Sequence, residues 1–291
     1  MDFQPTTQGG LVTLLASFLG PDSLNMAALL AVVFIGLPHG AMDGALAMHF
    51  GWLNRPSKAV VFLLSYVGLA LLVVGFWMVA PVLVFVAFLA ISLLHFGRGD
   101  STSHSAGQER IESLARGGLV IAGISQAHRG EANEVFLTIV GSSTGMVWAF
   151  LDVMMVVTVV SIVVVLAFKH PKDRMEFLIE MAFLSAVFIL TAPLVGFAIY
   201  FCFVHSFRHF TAMRSLLTPT VSKLRITQTT LVFSLLTWGA GLFMFSQQSA
   251  SIGVEPALLR VVFIGLAALT VPHMILIDGI LEQKSVQKTT A

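Results

Sequence analysis

Five histidines of this chain sit inside strongly apolar stretches: His39 in GLPHGAMD, His95 in SLLHFGRGD, His205 and His209 in CFVHSFRHF, and His273 in VPHMILID. An ionisable ring surrounded by hydrocarbon is costly, so such residues usually face a protein interior and mark a site. One such ring could equally well be a hydrogen-bonding partner for a neighbouring backbone, but five together favour a shared role. His205 and His209 are four residues apart, which stacks both imidazoles on one helical face. The spacing recurs in helical metal sites, although HxxxH alone is a weak signal. No cysteine or carboxylate cluster accompanies the rings, so any metal here has an all-imidazole shell, which suits zinc, copper, iron or nickel. His49, His104, His128 and His170 fall at or beyond the expected helix ends and read as surface residues.

The neighbours of these histidines matter as well. Pro38 and Pro272 each directly precede one of them, and a proline bends a helix by removing a backbone donor, which would aim the next ring inward. Asp43 lies four residues after His39 on the same face of an α-helix, and Asp278 follows His273 by five. Either carboxylate could orient a ligand ring by accepting its free N–H, and Asp278, near a helix end, reads equally well as solvated. Asp152 and Glu180 are further acids in apolar segments, with no partner evident from the sequence.

The elements that must position these residues are membrane helices. Of the 291 residues, 57% are hydrophobic and 11% charged, and the mean hydropathy is +0.91, well outside the range of soluble domains. Stretches long and apolar enough to cross a bilayer lie near 26–50, 59–79, 81–96, 112–126, 145–168, 176–192, 194–210, 229–246 and 257–281. The fold class expected is therefore all-α, a polytopic transmembrane bundle of about nine spans, with seven or eight left open because two stretches are short. Polar or mixed segments at 97–112, 127–144 and 246–256 read as the major loops. With the N-terminus outside, one face collects Arg55, Lys58, Arg98, Arg110, Lys169, Lys172, Arg174, Arg214, Lys223, Arg225, Lys284 and Lys288, leaving Arg129 and Arg260 opposite. That asymmetry puts the C-terminus in the cytoplasm.

The absence of a repeat or linker makes 1–291 a single integral domain, multi-pass in the cell (inner or plasma) membrane. MDFQPTTQGG carries no basic segment of a cleavable leader. Scattered basic residues and a net charge of +1 argue against a nucleic-acid partner. The single cysteine, Cys202, excludes an internal disulfide. Under this topology the five histidines fall between mid-membrane and the cytoplasmic face, at depths compatible with one cluster.

The ordered set GLPHGAMD, HFGRGD, HSFRH and PHMILID resembles the Brp/Blh family of membrane β-carotene 15,15'-dioxygenases, which supply retinal to microbial rhodopsins. The resemblance extends to length and hydropathy over nearly the whole chain. It implies cleavage of the central double bond of β-carotene with O2 to two retinal molecules, at a non-haem Fe(II). On matching positions the catalytic iron ligands would be His39, His95, His205 and His209, with His273, Asp43 and Asp278 as a possible fifth ligand or orienting groups. Phe96 and Phe207, which adjoin ligands, would contact the substrate. Four neutral imidazoles leave the ion its full charge and up to two open positions. A membrane di-iron desaturase or hydroxylase shares the HxxxH spacing but needs HxxHH boxes, which do not occur here. A non-catalytic retinal or carotenoid carrier would explain apolar pockets without chemistry, a haem-binding electron carrier could use paired histidines, and an intramembrane zinc protease lacks its HExxH motif.

Overall fold

The computed structural model describes residues 21–103 and 105–281; readings placed on the first 20 residues, on His104 and beyond 281 lie outside the described residues. Every described element is a helix. In chain order they are α1 (21–49), α2 (Pro56–Val79), α3 (Pro81–Asp100), α4 (106–127), α5 (Arg129–Val140), α6 (Gly145–Phe168), α7 (Pro171–Leu190), α8 (193–217), α9 (Lys223–Ile252) and α10 (254–281). Their boundaries follow local chemistry. Pro56, Pro81, Pro171 and Pro193 each open a helix at a position whose N–H has no intrahelical acceptor. Ser105 and Ser222 cap α4 and α9 by accepting the N–H groups of Gln108 and Arg225. Gly141 and Gly253, at φ of 67° and 90°, make tight reversals that a side chain would strain.

Among the described residues, six helices are long and apolar enough to cross a membrane: Ser23–His49, Pro56–Val79, Pro81–Asp100, Gly145–Phe168, Lys223–Ile252 and Val254–Ile277. The surface is inverted relative to a soluble protein. Leu64, Leu71, Met78, Val156, Val163, Leu236 and Leu242 are all exposed on α2, α6 and α9, while His39, Asp43, His95, Glu112, Arg116 and His205 are buried. A face of that size and composition needs lipid to cover it. The chain is a helical membrane protein.

The expected spans at 112–126 and 194–210 are also helical, within α4 and α8, and that at 176–192 is helical to Leu190, where α7 ends. They fall outside the six because polar groups interrupt them: Glu112 and Arg116, then Glu176 and Glu180, then His205, Arg208 and His209. The 127–144 segment, expected to be a loop, instead contains α5, whose Asn133 carboxamide accepts from Thr144 Oγ1 at 2.7 Å and Trp148 Nε1 at 2.8 Å. The loops at 97–112 and 246–256 shrink to short turns, since α3 runs to Asp100 and only Gly253 separates α9 from α10.

Two features set the positions of the helices around the site. First, α3 and α4 approach until their backbones touch: a Cβ on Gly97 would lie 2.0 Å from Ser113 O, and one on Gly117 would lie 1.8 Å from Leu93 O. Small residues let membrane helices pack this closely. Second, a polar layer ties α3, α4, α7 and α8 together. Glu112 accepts from Arg116 Nε (2.8 Å), Lys169 Nζ (2.6 Å), Thr102 and Ser103. Arg116 and Arg208 both reach Glu180 at 2.7 Å, and Arg208 also lies 3.4 Å from Asp100. Glu180, without an evident partner in the sequence, thus has two, and Asp152 is held bidentately by Arg129 at 2.7 and 3.1 Å.

Candidate metal centre

Four of the five histidines reach the bundle centre from locally irregular helices. In α1 a π segment, Val32–Gly36, is followed by a 3-10 segment, Leu37–Met42, which carries His39 just after Pro38. Pro38 has no N–H for a regular helical bond, and the chain winds tightly past it. His205 ends the π segment Tyr200–His205 of α8, and His209 follows one α-helical turn later. His273 comes directly after Pro272 and just before the π segment Ile275–Leu281. His95 stands on the regular helix α3, held against α4 by the glycine contact.

These five rings converge. Ligand atoms of His39, His95 and His205 lie within 4.8 Å of one another. Neighbouring ring centroids close a circuit, with His39–His205 at 5.4 Å, His205–His95 at 5.0 Å, His95–His273 at 5.1 Å and His273–His39 at 5.7 Å. His209 completes the group, 5.1 Å from His273, 5.3 Å from His39, 6.3 Å from His205 and 6.5 Å from His95. His39, His95, His205 and His273 are buried and His209 is half-buried.

Hydrogen bonding on the outer side of two rings decides which nitrogen faces inward. His39 Nδ1–H donates to Gly36 O at 2.5 Å, with Ser206 Oγ 3.2 Å away. His273 Nδ1–H donates to Asp43, 2.9 Å from Oδ1 and 3.0 Å from Oδ2. A carbonyl or carboxylate acceptor fixes the proton on Nδ1 and leaves the Nε2 lone pair available to the cluster. Nε2 of His205 and of His209 is buried with no hydrogen-bond partner among the described residues. A buried polar atom left that way costs about 1–3 kcal/mol, and a shared cation would relieve it. The donor set therefore fits a metal ion, with imidazole nitrogen as its only ligand type.

The other anticipated residues divide. Asp43 is buried at the site, but it holds His273 and not His39; its other oxygen contact is Tyr66 Oη–H, which donates at 2.8 Å. Phe96 is buried against His205 with ring centroids 4.7 Å apart. Phe207 is 68% exposed and is not among the residues that line the cavity described below. The side chain of Asp278 lies outside the described residues. His49 and His128 instead bond to Thr220 Oγ1 (2.5 Å) and Ile189 O (3.1 Å), and His170 is exposed at the start of α7. Sequence reasoning missed Tyr66 and Ser206. A signal existed for the first, because the chain has two tyrosines, Tyr66 and Tyr200, and each donates to a buried carboxylate.

A cavity opens from the cluster. It is lined by His39, His95 and His273 but not by His205 or His209, and its walls are mostly aromatic and aliphatic, with Phe96 and Phe201 in ring contact with the histidines. Away from the rings it is lined by buried side chains, among them Phe85, Ala132, Phe136 and Leu194. Such an arrangement can hold a long hydrocarbon against a metal and keep water away.

Residues 30–280 match the family described as beta-carotene 15,15'-dioxygenase. A protein of that name from uncultured marine bacterium 66A03 is 35% identical over 269 residues, covering 90% of this chain and 96% of the relative. No solved structure matches. The matched segment holds all five convergent histidines, Asp43 and Tyr66, and on this coverage the chain belongs to the beta-carotene 15,15'-dioxygenase family.

Proposed function

We propose that this protein cleaves β-carotene at its central 15,15' double bond with O2, giving two molecules of retinal, and that an Fe(II) ion held by His39, His95, His205 and His209 serves the reaction, with His273 as a fifth ligand. The observation that carries this reading is the convergence of five imidazoles at the head of an apolar, largely aromatic and aliphatic cavity. When bound, ferrous iron supplies the one-electron reactivity toward dioxygen that a closed-shell polyene lacks. The residues do the rest. Gly36 O and Asp43 hold the rings of His39 and His273 in the tautomer that presents Nε2. Phe96, Phe197 and Phe201 offer flat apolar surfaces to a conjugated chain and exclude water from beside the rings. No side chain is needed to move a proton, because adding both atoms of O2 across a C=C bond to give two carbonyls transfers none.

A carotene is about as long as the roughly 30 Å hydrocarbon core of a bilayer, so an embedded enzyme can take it up without passing it through water. We further propose that α4, α7 and α8 cross the cell membrane with the six more apolar helices. This gives one nine-span domain, with the outside N-terminus and cytoplasmic C-terminus expected from its charges. Retinal released into the same bilayer would be available to a microbial rhodopsin.

Expression in cells that accumulate β-carotene tests the reading. Retinal should appear as the orange colour fades, and His205→Ala or His209→Ala should remove both bound iron and activity, a loss of about 100-fold or more. Unchanged carotenoid beside intact, iron-loaded protein would leave a carrier as the better description.

A further inference from the structure

A second cavity lies between α2 and α10, and its position bears on where the polyene is cut. It is lined by Trp52, Val61, Leu69, Pro272 and Leu276, and it shares Tyr66 with the inner cavity. It opens outward: Val61 on its rim is 65% exposed, and Ser57, Lys58 and Ser65 are exposed too. The partition between the two spaces is the Tyr66 ring together with α10 at Pro272 and His273, so the histidine cluster stands at their junction.

The α2–α3 hairpin, which turns at Ala80, supplies a ruler. Tyr66 lies 14 residues before that turn and His95 lies 15 after it, so they occupy one level of the bundle. From His95 to the buried Phe85, which lines the inner cavity, is ten residues or about 15 Å of helix. In the opposite direction, from Tyr66 to Ser57 at the mouth of the outer groove, is nine residues or about 14 Å. The two arms are nearly equal, and end to end they cover about 29 Å, close to the thickness of a bilayer core and the length of a carotene.

We propose, resting on the carotene-cleaving reading above, that the α2–α10 groove is the lateral portal from the bilayer and the seat of the second half of the polyene. The first half threads past Tyr66 until its ring meets the buried rings of Phe85 and Phe136. Equal arms then place the middle of the chain at the histidines, and the symmetry of the cut follows from the geometry of the two spaces. Tyr66 acts as a positioning residue at their junction.

The experiment compares two substrates in purified protein: β-carotene, and an apocarotenal that keeps one ring half but is truncated just beyond the central bond. Leu69→Trp fills the groove without touching the histidines or Asp43. It should lower kcat/KM for β-carotene by about tenfold or more and for the truncated substrate by less than about threefold, with retinal still formed and iron content unchanged. Val61→Trp, on the exposed rim, should act in the same direction and guards against a folding defect at position 69. If both variants leave the two substrates unaffected, or lower them equally, the groove is not the second arm. A wild-type protein that binds iron and cleaves neither substrate would overturn the function itself, and this assignment with it.

Discussion

At the scale of single residues, the strongest constraint on the site is the chain Tyr66–Asp43–His273, in which a phenol and an imidazole both donate to one buried carboxylate. The sequence pointed to Asp43 but attached it to the wrong ring, and the reason is local winding. Four residues on an α-helix advance about 400°, which returns close to the starting face, whereas four on a 3-10 helix advance about 480° and miss it by about a third of a turn. Residues Leu37–Met42 are 3-10, so Asp43 turns away from His39 and toward α10. The partners of Glu180 and Asp152 were hidden for a different reason, since Arg116, Arg208 and Arg129 come from other helices and periodicity within one segment cannot reveal them. If Asp43 sets the tautomer and angle of a metal-binding His273, Asp43→Asn should weaken iron affinity by about 10- to 100-fold. Tyr66→Phe, which removes one of the donors to that carboxylate, should have a smaller effect in the same direction. Titration against a competing chelator measures both, and affinities equal to wild type would mean that His273 is not a ligand.

At the scale of elements, regular helix geometry was legible and its interruptions were not. Residues 145–168 form α6 over the range hydropathy marked, and Pro38 and Pro272 announced two irregular segments. Nothing in the composition of Leu119–Gly123 or Tyr200–His205 marks a π segment, because the extra residue per turn is imposed by packing against neighbours and not by any helix-breaking side chain. The close approach of α3 and α4 was equally hidden, since Gly97 and Gly117 look like two of the 24 glycines of the chain until their backbone neighbours are known. That contact places His95 at the cluster, so it should resist even a methyl group. Gly117→Ala forces α4 away from Leu93 O and should cost about 1–3 kcal/mol, with reduced iron content as His95 shifts. Gly68→Ala, whose Cβ meets nothing within 4 Å on the outer side of α2, should be neutral or slightly stabilising. Thermal unfolding in detergent separates the two, and equal midpoints would show that the α3–α4 seam is softer than its distances imply.

At the scale of the whole molecule, the inverted surface was the most legible property, because a chain this apolar has few other ways to fold. Topology follows less directly, as α7 and α8 carry the charges and histidines that depress their hydropathy while serving the polar layer and the site. The helices nonetheless alternate through tight turns at Ala80, His170, Ala192 and Gly253, which is the pattern of a chain that reverses at each membrane face. Cys202 is buried, so single introduced cysteines can report on accessibility with little background. In intact cells a membrane-impermeant maleimide should label Ala250→Cys, near the α9–α10 turn, and Thr191→Cys, at the α7–α8 turn. Lys172→Cys and Lys223→Cys should label only after permeabilisation if, as proposed, the basic residues around them face the cytoplasm. Labelling of Thr191→Cys together with Lys172→Cys and Lys223→Cys only in opened cells would mean that α7 and α8 dip into the bilayer without crossing it. The histidine pair on α8 would then approach the cluster from a re-entrant hairpin, and the nine-span count would fall to seven with the orientation of every other helix preserved.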